Sequence, residues 1–144
     1  MTFTAFAKDD SANQSLELPT TIHSTHLNEN RQLKIKLPAS YHESEKKNYP
    51  VLYVLDGQNM HKNTAFIYDF LSSKRHIPEM IIVSIPHTGR RTRDYNTYFR
   101  GSDKVNEGGD HFMSFLQYEV IPFVDGHYKT TDYRMLSGHS QSGL

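Results

Sequence analysis

Two runs of β-forming residues, the wholly apolar Val51-Leu-Tyr-Val-Leu55 and Met80-Ile-Ile-Val-Ser-Ile85, apolar but for Ser84, constrain this chain more than anything else in it. Neither alternates with polar residues, so each reads as a strand covered on both faces, as at the centre of a parallel sheet. Between them, from about Lys62 to Ser73, the apolar residues Ala65, Phe66, Phe70 and Leu71 recur at helical spacing. Strand, helix and strand in that order predict a right-handed crossover.

Upstream, Thr20 to Leu27 and Gln32 to Leu37 alternate apolar and polar residues around Asn28-Glu-Asn30, the pattern of a half-exposed antiparallel hairpin. Downstream, Gly109 to Phe123 reads as a helix with Phe112, Phe115, Leu116, Val120 and Ile121 on one stripe, and Tyr133 to Ser137 as the last strand. The expected fold class is α/β, with a mostly parallel sheet and an N-terminal antiparallel hairpin, in one domain over residues 19–144. Residues 1–18 are polar and without periodicity and read as a flexible arm. Alternatively Ala5 and Ala7 mark a signal-peptide remnant, which makes the parent periplasmic or secreted; without it the expectation is cytoplasmic. The polar connection from 86 to 107 is long enough to suggest a functional loop.

Gly138-His-Ser-Gln-Ser-Gly143 stands where a strand ends and a helix can begin, the context of a nucleophile elbow. Ser140 is the candidate catalytic nucleophile. A tight strand-to-helix turn strains the serine backbone, so the residues two before and two after it, Gly138 and Ser142, must be small. Ser142 replaces the usual second glycine, and Gly143 behind it lets the next helix pack closely. The oxyanion hole of such a site takes one backbone N–H from the residue after the nucleophile, Gln141, and one from the loop after Leu55, assigned here to Gln58. His139 points to the opposite face from its neighbour and is read as a packing residue rather than a base. Asp56, before Gly57, is read as stabilising a turn rather than as the catalytic acid.

These residues belong to a wider resemblance, carried by Tyr49-Pro-Val-Leu-Tyr-Val-Leu-Asp-Gly-Gln58, by Ile85-Pro-His-Thr88 leading into Arg91-Thr-Arg-Asp94, and by Ile121-Pro-Phe-Val-Asp-Gly-His-Tyr128 running into the elbow. From about residue 20 the chain resembles the putative esterase family, which includes esterase D (S-formylglutathione hydrolase), enterochelin esterase-type enzymes and the mycolyltransferases. The Ser-x-Ser-Gly elbow also occurs in the mycolyltransferase branch. The resemblance implies hydrolysis of a small-molecule carboxylic ester or thioester through an acyl-enzyme on Ser140, with no cofactor. Acyl transfer to another alcohol is the alternative within the family, and a non-catalytic hydrolase-like binding domain the alternative outside it. Full members are roughly twice this length, and their triad runs Ser, then Asp or Glu, then His along the chain. Only Gln141 to Leu144 follow the serine here. The chain is therefore expected to be the N-terminal half of an α/β-hydrolase fold, a truncated domain ending at the elbow and inactive alone. An extra residue around Gly89-Arg90 departs from the family pattern.

Charge narrows the field further: sixteen Lys and Arg balance sixteen Asp and Glu, so bulk electrostatics draws the chain neither to nucleic acid nor to an acidic membrane. No apolar run reaches the length of a membrane span. There is no Cys, which excludes thiolate chemistry, and His23 and His26 face opposite ways on a strand, so no metal site is expected. Arg90, Arg91 and Arg93 beside Asp94 read as surface salt bridges ahead of an anionic substrate grip. Without later strands beside it, Tyr133 to Ser137 is expected to be an open apolar edge that invites self-association.

Overall fold

In a computed structural model, residues 17–96 and 108–143 are described. The expectations for most of the arm, for the signal remnant and for residues 97–107 of the polar connection lie outside the described residues. In chain order the elements are β1 (Glu17–Ser24), β2 (Glu29–Lys36), β3 (Tyr49–Leu55), α1 (Gly57–Ser73), β4 (Ile81–Ile85), α2 (Arg91–Tyr95), α3 (Gly108–Phe115), a π-helical turn (Leu116–Val120), α4 (Ile121–His127), β5 (Thr130–Ser137) and a 3₁₀ turn (Ser140–Gly143).

The five strands form one sheet in the order β1-β2-β4-β3-β5. β1 and β2 make the antiparallel hairpin, β2 runs antiparallel to β4, and β4, β3 and β5 are mutually parallel. The two apolar-rich runs thus lie in the middle, where β4 is buried at every residue, because only there are both faces covered. Leu33, Ile35, Val51, Tyr53, Val83 and Ile85 meet Phe112, Phe115, Val120 and Val124 on one face. Val54 and Ile82 meet Tyr68 and Met80 on the other. β5 is the outermost described strand on its side, and Tyr133 and Leu136 on it are 63% and 53% exposed.

Several boundaries differ from the sequence expectation, each for a local reason. The hairpin turns at residues 25–28, where Asn28 takes a φ of 50°, starting three residues before the Asn28-Glu-Asn30 cluster. α1 begins five residues before Lys62 and buries Gly57, His61, Ala65 and Tyr68, while Phe66 and Phe70 are 76% and 59% exposed. The reason is close approach: a Cβ on Gly57 would sit 2.8 Å from the Ile85 nitrogen. Helix and sheet pack so tightly there that the interface takes small or hydrogen-bonding residues rather than large apolar ones. His61 Nδ1 accordingly pairs with Ser84 Oγ at 2.8 Å, and the Met80 amide donates to Tyr68 Oη at 2.6 Å.

The helix predicted from Gly109 to Phe123 is interrupted by the π turn, which ends two residues before Pro122, a residue with no N–H for the regular ladder. Glu119 in that turn accepts the amides of Thr25 and His26 at 2.8 and 3.2 Å, fastening the hairpin turn to the helix. Inside the polar connection, α2 is held by a fully buried pair: Arg31 Nη1 lies 2.8 Å from Asp94 Oδ2 with both side chains at 0% exposure. The Arg31 guanidinium also lies 5.6 and 5.5 Å from the Phe112 and Phe115 rings. Asp94, read from sequence as surface charge, is thus a core anchor.

Glu29 closes the network by accepting from Arg93 and Arg31 at 2.9 and 2.8 Å. The hydrogen bond from Arg93 leads, against opposing desolvation, in lowering its pKa from 4.5 to about 2. A depressed carboxyl stabilises the fold fully above its unfolded pKa and loses that contribution as pH falls through the folded one. Wild-type urea midpoints are therefore expected to fall between about pH 4.5 and pH 2 more than those of Glu29→Gln, whose curve is flatter over that window. Parallel curves for the two proteins would contradict this.

Candidate active site

Because β3, β4 and β5 are parallel, with Leu55 paired to Ile85 and Val54 to Ser137, the segments that follow them emerge on one edge of the sheet. Asp56 to Gln58, Pro86 to Arg91 and Gly138 to Gly143 are thereby gathered at the carboxyl ends of the strands, where sheets of this class place their ligands. Ser140 is exposed at the start of the 3₁₀ turn, with φ +58°. A non-glycine residue in the left-handed region costs about 1–3 kcal/mol and persists only where its surroundings enforce it. Gly138 shows the enforcement: a Cβ there would overlap the Ser142 carbonyl, with the carbonyl carbon only 2.6 Å away. A Cβ on Gly143 would in turn sit 3.2 Å from Gly138 O.

Asp56 enters α1 with φ +53° and makes no side-chain cap. The turn-stabilising role read from sequence is replaced by a different one. Its carboxylate accepts Arg91 Nε and Nη2 at 2.8 and 2.7 Å, and Ser142 Oγ donates to Oδ2 at 2.8 Å. Burial pushes the Asp56 carboxyl up, but the hydrogen bonds from Arg91 and Ser142 outweigh it and hold the carboxyl below its usual range. The Asp56 amide donates to Tyr95 Oη at 3.2 Å, and the Arg91 guanidinium lies 5.7 Å from the Tyr95 ring.

Arg91 reaches the elbow as well, donating from Nη1 to Gln141 Oε1 at 2.9 Å and from Nη2 to His139 O at 3.0 Å. Gln141 Nε2 in turn donates to Asn96 Oδ1 at 2.8 Å. The hydroxyl that distinguishes Ser142 from the usual glycine therefore joins the elbow to the loop after β3. His139, expected to pack, has an exposed side chain; its main-chain N–H donates to Ser142 Oγ at 2.9 Å.

Gln58 lies in the first turn of α1, and its side-chain Oε1 accepts the His87 amide at 3.1 Å. The Asp56 carbonyl takes its bonds from Asn59 and Met60, so the Gly57 and Gln58 amides are helix-terminal donors without an intrahelical acceptor. A cavity of 170 Å³ opens beside the elbow, with Leu55, Met113 and Leu136 among its walls and Gln141 and Ser142 at its rim. The larger cavity, 580 Å³, is at the far end of α1 between Tyr68 and Glu79 and touches none of the elbow. Among the described residues no group of three or more His, Asp or Glu could hold a metal ion, and no helix is long and apolar enough to cross a membrane.

The tight turn at 138–143 and the start of α1 lie at one edge of the sheet, whereas sequence reasoning read Arg91 and Asp94 only as surface charge and did not single out Arg31. Arg91 and Asp94 stood in one of the stretches that carried the family resemblance, which was the available signal. Arg31 gave none.

Residues 24–144 match the family described as Putative esterase. The Bacillus subtilis (strain 168) protein YjcH is 30% identical over 109 residues, 74% of this chain and 42% of YjcH. An IroE-like serine hydrolase from Shewanella oneidensis superposes with a TM-score of 0.76 at 30% identity, over 89% of this chain and 44% of that one. The siderophore hydrolase EstB from Aspergillus nidulans shares the fold, with a TM-score of 0.74 at 19% identity over 88% of this chain and 50% of its own. The chain thus spans half or less of the length of these relatives.

Proposed function

The chain belongs to the Putative esterase family, and from that premise we propose that it carries the nucleophile and oxyanion hole of a serine hydrolase acting on small carboxylic esters or thioesters. The observation that carries the proposal is the backbone of Ser140, held at φ +58° at the carboxyl edge of a parallel strand. Strain of that kind serves to project a hydroxyl clear of its strand.

Ser140 Oγ attacks the substrate carbonyl as a histidine base takes its proton. The N–H groups of Gln58 and Gln141 hold the oxyanion, the alcohol or thiol leaves with the proton, and water then releases the acid from the acyl-enzyme. The apolar cavity beside Ser142 offers a wall for a short acyl group. The family description supports an ester substrate, and the IroE-like serine hydrolase at 30% identity supports a serine nucleophile.

Among the described residues around the elbow, none is placed as the base or the acid of this reaction. Among the described residues Asp56 is committed to Arg91 and Ser142, and no hydrogen bond links a histidine side chain to the elbow. The 144-residue chain alone is therefore expected to hydrolyse p-nitrophenyl acetate no faster than its Ser140→Ala variant. Turnover that depends on Ser140 in the isolated chain would place acid and base within it and overturn this part of the proposal. A non-catalytic binding domain with the same cleft predicts instead that the full-length protein also shows no Ser140-dependent turnover.

A further inference from the structure

We infer that Arg91 and Asp56 form a positioning clamp that sets the separation between the two amides of the oxyanion hole. The inference rests on the serine-hydrolase reading and adds to it residues that take no part in the chemistry.

The two amides sit on segments that do not touch in sequence. Gln58 is on the first turn of α1, while Gln141 follows Ser140 on the 3₁₀ turn after β5. Backbone pairing brings β3 and β5 together only as far as Val54 and Ser137. Beyond that point one connection is direct, Ser142 Oγ to Asp56 Oδ2 at 2.8 Å. The other runs through Arg91, which holds Asp56 with Nε and Nη2 and the elbow with Nη1 to Gln141 Oε1 and Nη2 to His139 O. One planar guanidinium therefore spans both segments. The elbow contacts fall on the residue that carries one oxyanion amide and on the residue just before the nucleophile.

Lysine could keep the charge against Asp56 but not this geometry, because an ammonium on a flexible stem cannot present a fixed fork to four acceptor atoms. An oxyanion hole depends on donors fixed before charge develops, so displacing one segment by a fraction of an ångström weakens transition-state binding while leaving ground-state binding nearly as it was. Misplacement of about 1 Å by a residue outside the chemistry can cost about 100-fold in rate.

The test is steady-state hydrolysis of p-nitrophenyl butyrate by the full-length protein with Arg91→Lys, Arg91→Gln, Ser142→Gly and Ser140→Ala, each with its Tm. Arg91→Gln is expected to lower kcat by about 100-fold with KM within about threefold. Arg91→Lys is expected to recover Tm but not kcat. A charge that only stabilises the fold would restore both together. Ser142→Gly, which installs the small residue usual at this place, is expected to fold normally and lose about tenfold in kcat by freeing one link. It keeps the inference testable if Arg91→Gln does not fold.

If Ser140→Ala abolishes turnover while Arg91→Lys and Ser142→Gly keep full kcat, the clamp is wrong and the serine-hydrolase reading stands. If Ser140→Ala retains turnover, that reading fails and the clamp falls with it.

Discussion

Replacing Ser140 with Ala in the full-length protein is expected to lower kcat for p-nitrophenyl esters by about 10⁵-fold, with little change in thermal stability. The size of the effect follows from the role. A nucleophile cannot be replaced by a neighbour when the reaction passes through a covalent intermediate, and what survives its loss is only the contribution of the oxyanion hole and of binding. The neutrality in stability follows from position: Ser140 is exposed at the edge of the sheet, and none of the hydrogen bonds that hold the elbow uses its side chain. Alanine also faces the same left-handed backbone cost as serine there, so the strain is unchanged. A loss of less than about tenfold would remove Ser140 from the chemistry.

The largest expected effect on stability lies away from the elbow. Asp94→Ala leaves the Arg31 guanidinium, at 0% exposure, without its closest buried counter-charge. Breaking a buried pair from one side costs about 3–5 kcal/mol, because the remaining charge keeps its desolvation penalty without compensation. Glu29 still accepts from Arg31 at 2.8 Å, so the lower end of that range is expected. Replacing both partners, as in Arg31→Met with Asp94→Leu, removes the stranded charge and is expected to recover most of the loss. Urea unfolding of the three proteins checks this. Equal destabilisation by the single and double replacements would mean that the shape of the site, rather than its charge, holds α2.

The central sheet was legible because its signal is local: an unbroken apolar run such as Val51 to Leu55 can be tolerated in water only where both faces are covered. The elbow was legible for a different reason, that steric demand narrows Gly138, Ser142 and Gly143 to small residues. What holds the site together was hidden. Asp56 and Arg91 are 35 residues apart, Asp56 and Ser142 are 86 apart, and Arg31 and Asp94 are 63 apart. Nothing in the identity of an arginine says whether it will be solvated or buried against two phenylalanine rings. The inner face of α1 was misread for a related cause. Its start lies so close to β4 that glycine, histidine and alanine fill the interface, while Phe66 and Phe70, the strongest apolar signal, face outward.

Those outward phenylalanines, together with the exposed Tyr133 and Leu136 on β5, mark where the described part of the molecule leaves apolar surface open. We propose self-association through β5 for the isolated chain, since an outer strand with free backbone groups is a template for pairing.

The most direct test of the account is the crystal structure of the full-length protein after reaction with a fluorophosphonate, in which a tetrahedral phosphonyl group mimics the acylation intermediate. Phosphorus is expected bonded to Ser140 Oγ, with one phosphonyl oxygen within about 3.1 Å of both the Gln58 and Gln141 nitrogens. Phosphorus on any other residue, or a phosphonyl oxygen that meets neither amide, would contradict it.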